Sequence, residues 1–184
     1  VRHYTSALEE ELFSDNIRVS LYDKLINTVN NNLNLLQKYI ELRKEVLNLD
    51  EIHMYDLYVP LVKNYEKTWT FEEAKELILK ALAPLGETYI KDLNNLFNSN
   101  CIDVYYNNNK KSGAYSSGTY DTLPYVLLNY EGKFNDVSTI AHEMGHSMHS
   151  YYSNTNNTFE DSSYPIFLAE IASTVNEVLL NKYM

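Results

Sequence analysis

Residues 136–151 read Asp-Val-Ser-Thr-Ile-Ala-His-Glu-Met-Gly-His-Ser-Met-His-Ser-Tyr. Val137, Ile140, Ala141, Met144, Met148 and Tyr151 recur at three- and four-residue steps. That spacing predicts a helix with one buried face, opened by Asp136 as its cap. At about 100° per residue, His142, His146 and His149 turn to the other side of this helix. A structural histidine normally lies within the apolar stripe, so three of the chain's 5 histidines gathered off it suit a cleft. A His-Glu-x-x-His string arises by chance in roughly one chain in a hundred of this length and composition.

The pattern has a chemical reading. His142 and His146, one turn apart, can present ring nitrogens to one ion about 2 Å away. Glu143 projects roughly 100° round the helix from His142, where it can reach a water on the metal without ligating the metal. His149 lies about 10 Å along the axis from His142, too far for one ion unless the helix breaks. It is therefore a group beside the ligands or facing substrate, or else a surface histidine. The third ligand is sought among the later carboxylates. Glu160 and Asp161 fall in a Ser/Asn/Thr-rich loop, where solvated charge is the default. Glu170 falls on a helix opened by Tyr164-Pro165, and Ile166, Phe167, Ile171, Val175, Val178 and Leu179 predict that most of this helix is buried. A carboxylate there needs a partner, and zinc supplies one. Glu177, two turns on, either orients a ligand histidine or is a solvent-exposed glutamate. One Zn2+ per chain is the expected cofactor, chosen over cobalt or manganese on ligand type and availability.

Around this centre the chain has 184 residues, 45% of them hydrophobic, with a net charge of −10. That length can bury a core as one domain. A pI near 4.9 argues against a nucleic-acid partner and against an anionic membrane surface. No apolar run approaches the ~18 residues of a membrane-spanning helix. The single cysteine, Cys101, fits a reducing, cytoplasmic setting. The chain begins at Val1 and stops at Met184 inside an apolar-periodic stretch, so the expectation is a piece of a longer polypeptide. One long helix is predicted over 14–48, an extended connector over 52–61, and a helix opened by a Thr70–Glu73 capping box. A third helix runs to about Asn98, with Ile90, Leu93 and Phe97 inward. Strands follow at 102–106, 112–117 and 125–130. The predicted fold is mainly α with a small antiparallel β-sheet (α+β). It forms a single domain, or part of a catalytic domain, over 1–184: a helical layer over 1–100, then the sheet and the zinc-binding helices over 101–184.

Several stretches together carry a resemblance. Ser112–Gly118, Pro124–Tyr130, Ala141–Ser150 and Tyr164–Ser173 resemble oligoendopeptidase F, of the thimet-type zinc oligopeptidases, and Asp56–Leu61 looks familial as well. The resemblance implies a zincin-type catalytic core in a cytoplasmic metallo-endopeptidase that cleaves short peptides in a deep channel closed to folded proteins. It implies His142, His146 and Glu170 as zinc ligands and Glu143 as general base. It also implies that Ser112 to Ser116 is an edge strand, where Gly113, Ala114 and Tyr115 meet the substrate backbone. A glycine serving only a bend is an equal reading of Gly113. Family members are much longer, and their later parts supply tyrosine and histidine groups to the substrate, so the remainder of a parent chain is expected to be missing. The competing expectations are a catalytically inactive, zinc-stabilised fragment of such an enzyme and a metal-free helical binding module.

Overall fold

The long helix expected over 14–48 is in fact two. In the computed structural model, which describes residues 3–62 and 67–184, a short α1 (Ala7–Phe13) precedes α2 (Val19–Asn31) and α3 (Leu33–Val46). The break falls at Asn32, with φ −114° and ψ 8°. Its side-chain amide donates to the Thr28 carbonyl at 2.7 Å, the local competition by which asparagine interrupts a helix. The connector is not extended either. Met54–Tyr58 forms a 3₁₀ turn, held by the buried Arg43, whose Nη2 donates to the carbonyls of Asp56 and Val59, each at 2.6 Å. These elements belong to one compact unit, Val1–Glu66; the other is Lys67–Met184. The division thus falls at residue 66, with the helices from Thr70 onward on the same side of it as the sheet.

The second unit opens with α4 (Phe71–Ala81), and the expected capping box forms. Glu73 N–H donates to Thr70 Oγ1 at 3.2 Å, and Thr70 N–H donates to the Glu73 carboxylate at 2.7 Å. Then come α5 (Glu87–Phe97), β1 (Ile102–Asp103), β2 (Tyr115–Ser117) and β3 (Tyr125–Leu127). The sheet order is β1-β3-β2, and the sheet is mixed, which corrects the antiparallel expectation. β2 pairs antiparallel with β3, Ser116 opposite Val126, but β1 pairs parallel with it, Ile102 opposite Val126. The reason lies in the strand order: with β3 between β1 and β2, two strands that run the same way become neighbours. Lys110 Nζ donates back to the carbonyls of Asp103 and Tyr105 at 3.1 and 2.7 Å, and meets the Asp103 carboxylate at 3.0 Å. The chain folds on itself there, and β3 takes the central place: Val126, Leu128 and Tyr130 N–H donate to Cys101, Asp103 and Val104.

Two long helices complete the unit, α6 (Phe134–Asn156) and α7 (Ile166–Tyr183). Asp136 is not the cap of α6. It sits in the first turn, its carboxylate accepting from the backbone of Glu131 and Lys133 at 3.0 and 2.9 Å. The apolar stripe of α6 is buried as predicted, with Val137, Ala141 and Met144 fully covered against Ile78, Leu82 and Leu93 of the neighbouring helices. Burial of such side chains stabilises the unit by about 1.5–3 kcal/mol each. The helix α7 differs from expectation. Ile166, Phe167, Ile171, Val175 and Val178 are exposed, and its covered face is Ser173, Asn176 and Leu180.

Gly132 leads into α6 with φ +90°, and a Cβ there would stand 2.9 Å from the Trp69 carbonyl oxygen. That carbonyl also accepts from Tyr130 Oη at 2.7 Å, while Trp69 N–H donates to Gly132 at 2.9 Å. Gly132→Ala is therefore expected to destabilise the chain by roughly 1–3 kcal/mol, read as a lowered denaturant midpoint. An unchanged midpoint would show that this turn relaxes freely.

Candidate metal centre

Four side chains converge where α6 and α7 cross. His142 and His146, one turn apart on α6, bring their Nε2 atoms to 3.0 Å. The Glu170 carboxylate on α7 lies 3.6 Å from the first and 3.7 Å from the second. Among the described residues these three form the group able to hold a metal ion. Glu177 Oε1 stands 2.6 Å from His142 Nδ1. A carboxylate there favours the tautomer with its proton on Nδ1, the one that leaves the Nε2 lone pair free for a cation.

The donor set fits zinc. Bonds of 2.0–2.1 Å at tetrahedral angles put ligand atoms about 3.4 Å apart, and the three distances bracket that value. The helices approach closely because Gly145, between the two histidines, has no side chain. A Cβ there would stand 2.7 Å from Ser173 Cα and 2.8 Å from the Ala172 carbonyl oxygen. Glu170 itself is half exposed. The burial argument that pointed to it fails, because the apolar residues of α7 face outward; the position it pointed to is nevertheless beside both histidines.

Glu143 projects from α6 beside this group and is only 7% exposed. Burial pushes its carboxyl pKa up, while His142, His146 and the backbone N–H of Ser116 pull the other way. Ser116 therefore joins the site, unforeseen from sequence. Its hydroxyl is also 2.8 Å from that of Ser147, which is fully buried on α6. The hydroxyl contact ties β2 to the helix. As an edge strand, β2 has one side without a strand partner among the described residues. Tyr115 is exposed there and Ala114 half-buried. Gly113 has φ +88° with nothing within 4 Å of a Cβ position, so its backbone conformation, not a close neighbour, calls for glycine.

His149 stays out of the group. Its ring stacks on Tyr164, with centroids 3.8 Å apart and 14° between planes, and its Nδ1 is buried without a hydrogen-bond partner. Burial pulls its pKa down. Tyr164 Oη in turn meets Ser150 Oγ at 2.6 Å. Glu160 and Asp161 lie exposed in the α6–α7 connection, as solvated charges.

Comparisons with known proteins place the chain in a family. The model of peptidase family M3 matches residues 1–184. Oligopeptidase PepF of Bacillus subtilis is 49% identical over 184 residues, all of this chain and 28% of the relative. A solved protein of Chlamydophila abortus is 51% identical with a TM-score of 0.86, over 99% of this chain and 30% of that one. The oligoendopeptidase-F structure from Enterococcus faecium is 35% identical with a TM-score of 0.60, over 99% and 24%. The chain thus spans less than a third of the length of these relatives.

Proposed function

The chain belongs to peptidase family M3, and from that premise we propose that it carries the metal-binding core of a zinc endopeptidase acting on short oligopeptides. The observation that carries this reading is the cluster of His142, His146 and Glu170, with the buried Glu143 next to His142 on α6. The substrate class is taken from the relatives, which are named an oligopeptidase and an oligoendopeptidase. A cytoplasmic setting belongs to the same reading and rests on the single cysteine.

In this reading His142, His146 and Glu170 hold the ion, and Glu177 fixes the ring and tautomer of His142. When bound, zinc supplies Lewis acidity, polarising the scissile carbonyl and acidifying a water. Glu143 takes the proton from the attacking water and returns it to the departing amine. The nearby Ser116 N–H favours the ionised form of the Glu143 carboxylate. The open edge of β2, through Ala114 and Tyr115, pairs with the extended backbone of the peptide, Gly113 supplying the turn that leads into it. His149 and Tyr164 stand beyond this centre as a stacked pair.

Metal content tests the site directly. After reconstitution with zinc, elemental analysis of the wild-type chain is expected to give one zinc per chain. Glu170→Ala removes one of three protein ligands and is expected to weaken zinc at least 100-fold in a chelator competition. A wild-type chain that takes up no zinc, or a Glu170→Ala variant that binds as tightly, would overturn the assignment.

A further inference from the structure

Asn176 is 1% exposed on α7, and both ends of its amide are engaged. Nδ2 donates to the Ala141 carbonyl at 3.0 Å, and Oδ1 accepts from the Tyr89 hydroxyl at 3.2 Å. Ala141 immediately precedes His142, and Asn176 immediately precedes Glu177. Two adjacent residues of α7 thus grip two adjacent residues of α6, one pair through Asn176–Ala141 and the other through Glu177–His142. A buried amide costs free energy unless it is bonded, and a leucine of similar size would fill this place without that cost. The position therefore calls for an amide on grounds other than packing.

We infer that Asn176 is a positioning residue for the cation site: it fixes the axial register of α7 on α6, so that Glu170 and Glu177 reach the two histidines together. The inference rests on the reading that His142, His146 and Glu170 hold zinc. Gly145 lets the helices approach, but a contact between a glycine and a backbone limits distance and resists sliding poorly. Ser173, also buried at this seam, turns its hydroxyl back onto Glu170, reaching the carbonyl at 3.1 Å and the carboxylate at 2.9 Å. It therefore orients Glu170 within α7 and ties nothing to α6. Asn176 supplies the tie, about 9 Å along the helix from Glu170. A slide of about 1 Å at that tie moves Glu170 by the same amount, twice the tolerance of a preorganised metal site.

The test uses Asn176→Leu in the whole chain, with zinc as the probe. Three quantities are read: melting of the metal-free chain, zinc affinity by competition with a chromophoric chelator, and the visible absorption of the cobalt(II) form. The expected result is a folded apo chain whose zinc affinity falls about 10- to 100-fold, the scale on which removal of supporting groups weakens metal sites. Its cobalt bands should also depart from the wild-type spectrum. Tyr89→Phe frees one end of the amide and keeps the Ala141 bond; it is expected to weaken zinc by a smaller factor and serves if Asn176→Leu does not fold. A role in packing alone would lower the apo melting temperature and leave cobalt bands and affinity, measured well below melting, as in the wild type. That outcome overturns the inference while leaving the site. A wild-type chain that binds no zinc overturns both.

Discussion

Glu143→Gln is expected to keep one zinc per chain and to lower cleavage of a quenched-fluorescent peptide by roughly 10²–10⁴-fold, the range supplied by a general base. The substitution retains the shape of the side chain and an acceptor for the Ser116 N–H, which points at this carboxylate. What it removes is the capacity to take a proton. Because Glu143 is not among the three clustered ligand groups, its loss should leave metal content untouched. Glu143→Ala should lose at least as much cleavage and still bind zinc. The measurement belongs in the longest form of the protein that cleaves peptides, since this chain spans 28% of its Bacillus subtilis relative. Cleavage within twofold of wild type in the Gln variant would exclude Glu143 as the base, whatever the metal does.

Gly145→Ala should be the most damaging conservative change in the second unit. It preserves the His-Glu-x-x-His string and helix propensity even favours it, by about 1 kcal/mol. Yet the added methyl would stand 2.7 Å from the Ser173 backbone and 2.8 Å from the Ala172 carbonyl oxygen. Neither neighbour is a flexible side-chain end, so relief requires α7 to move off α6. Overpacking costs about 1–3 kcal/mol and occasionally more, and two backbone contacts under 3 Å put this case at the upper end. The movement also carries Glu170 and Glu177 away from the histidines, so zinc affinity should fall at least 100-fold with stability. Equal melting temperatures and equal zinc affinity for Gly145→Ala and wild type would mean that the two helices are not locked at this crossing.

The site was legible in the sequence where one helix encodes it. The α6 stripe and the two histidines off it are properties of a single periodicity, and the structure keeps both. For Glu170 only the burial argument fails, while the resemblance of the Tyr164–Ser173 stretch points to the same residue. The outward residues of α7 looked like a core because they are apolar, and on this helix, unlike α6, apolar character does not mark the covered face. The covered face instead carries Ser173 and Asn176, whose polar character disguised it. Ser116 was invisible for a different reason: its part is played by a backbone N–H, which every residue but proline has. The mixed sheet comes from β3 standing between β1 and β2, and a strand-by-strand pattern does not record which strands become neighbours. Asn32 breaks a helix whose apolar phase runs on undisturbed, because its side chain competes for a carbonyl that the pattern does not record.

The crossing of α6 and α7 also has a kinetic meaning. His142, His146, Glu170 and Glu177 all lie within one stretch of 36 residues, brought together by a helical hairpin with the connection at 157–165. Closing a loop that short costs little chain entropy, and contacts of low sequence separation form early in folding. The β2 edge and the Ser116 N–H come from an earlier segment and join through longer-range pairing. Assembly of the His142–His146–Glu170 cluster and of the β2 edge are thus separable events in the folding of this chain, with the hairpin able to form first.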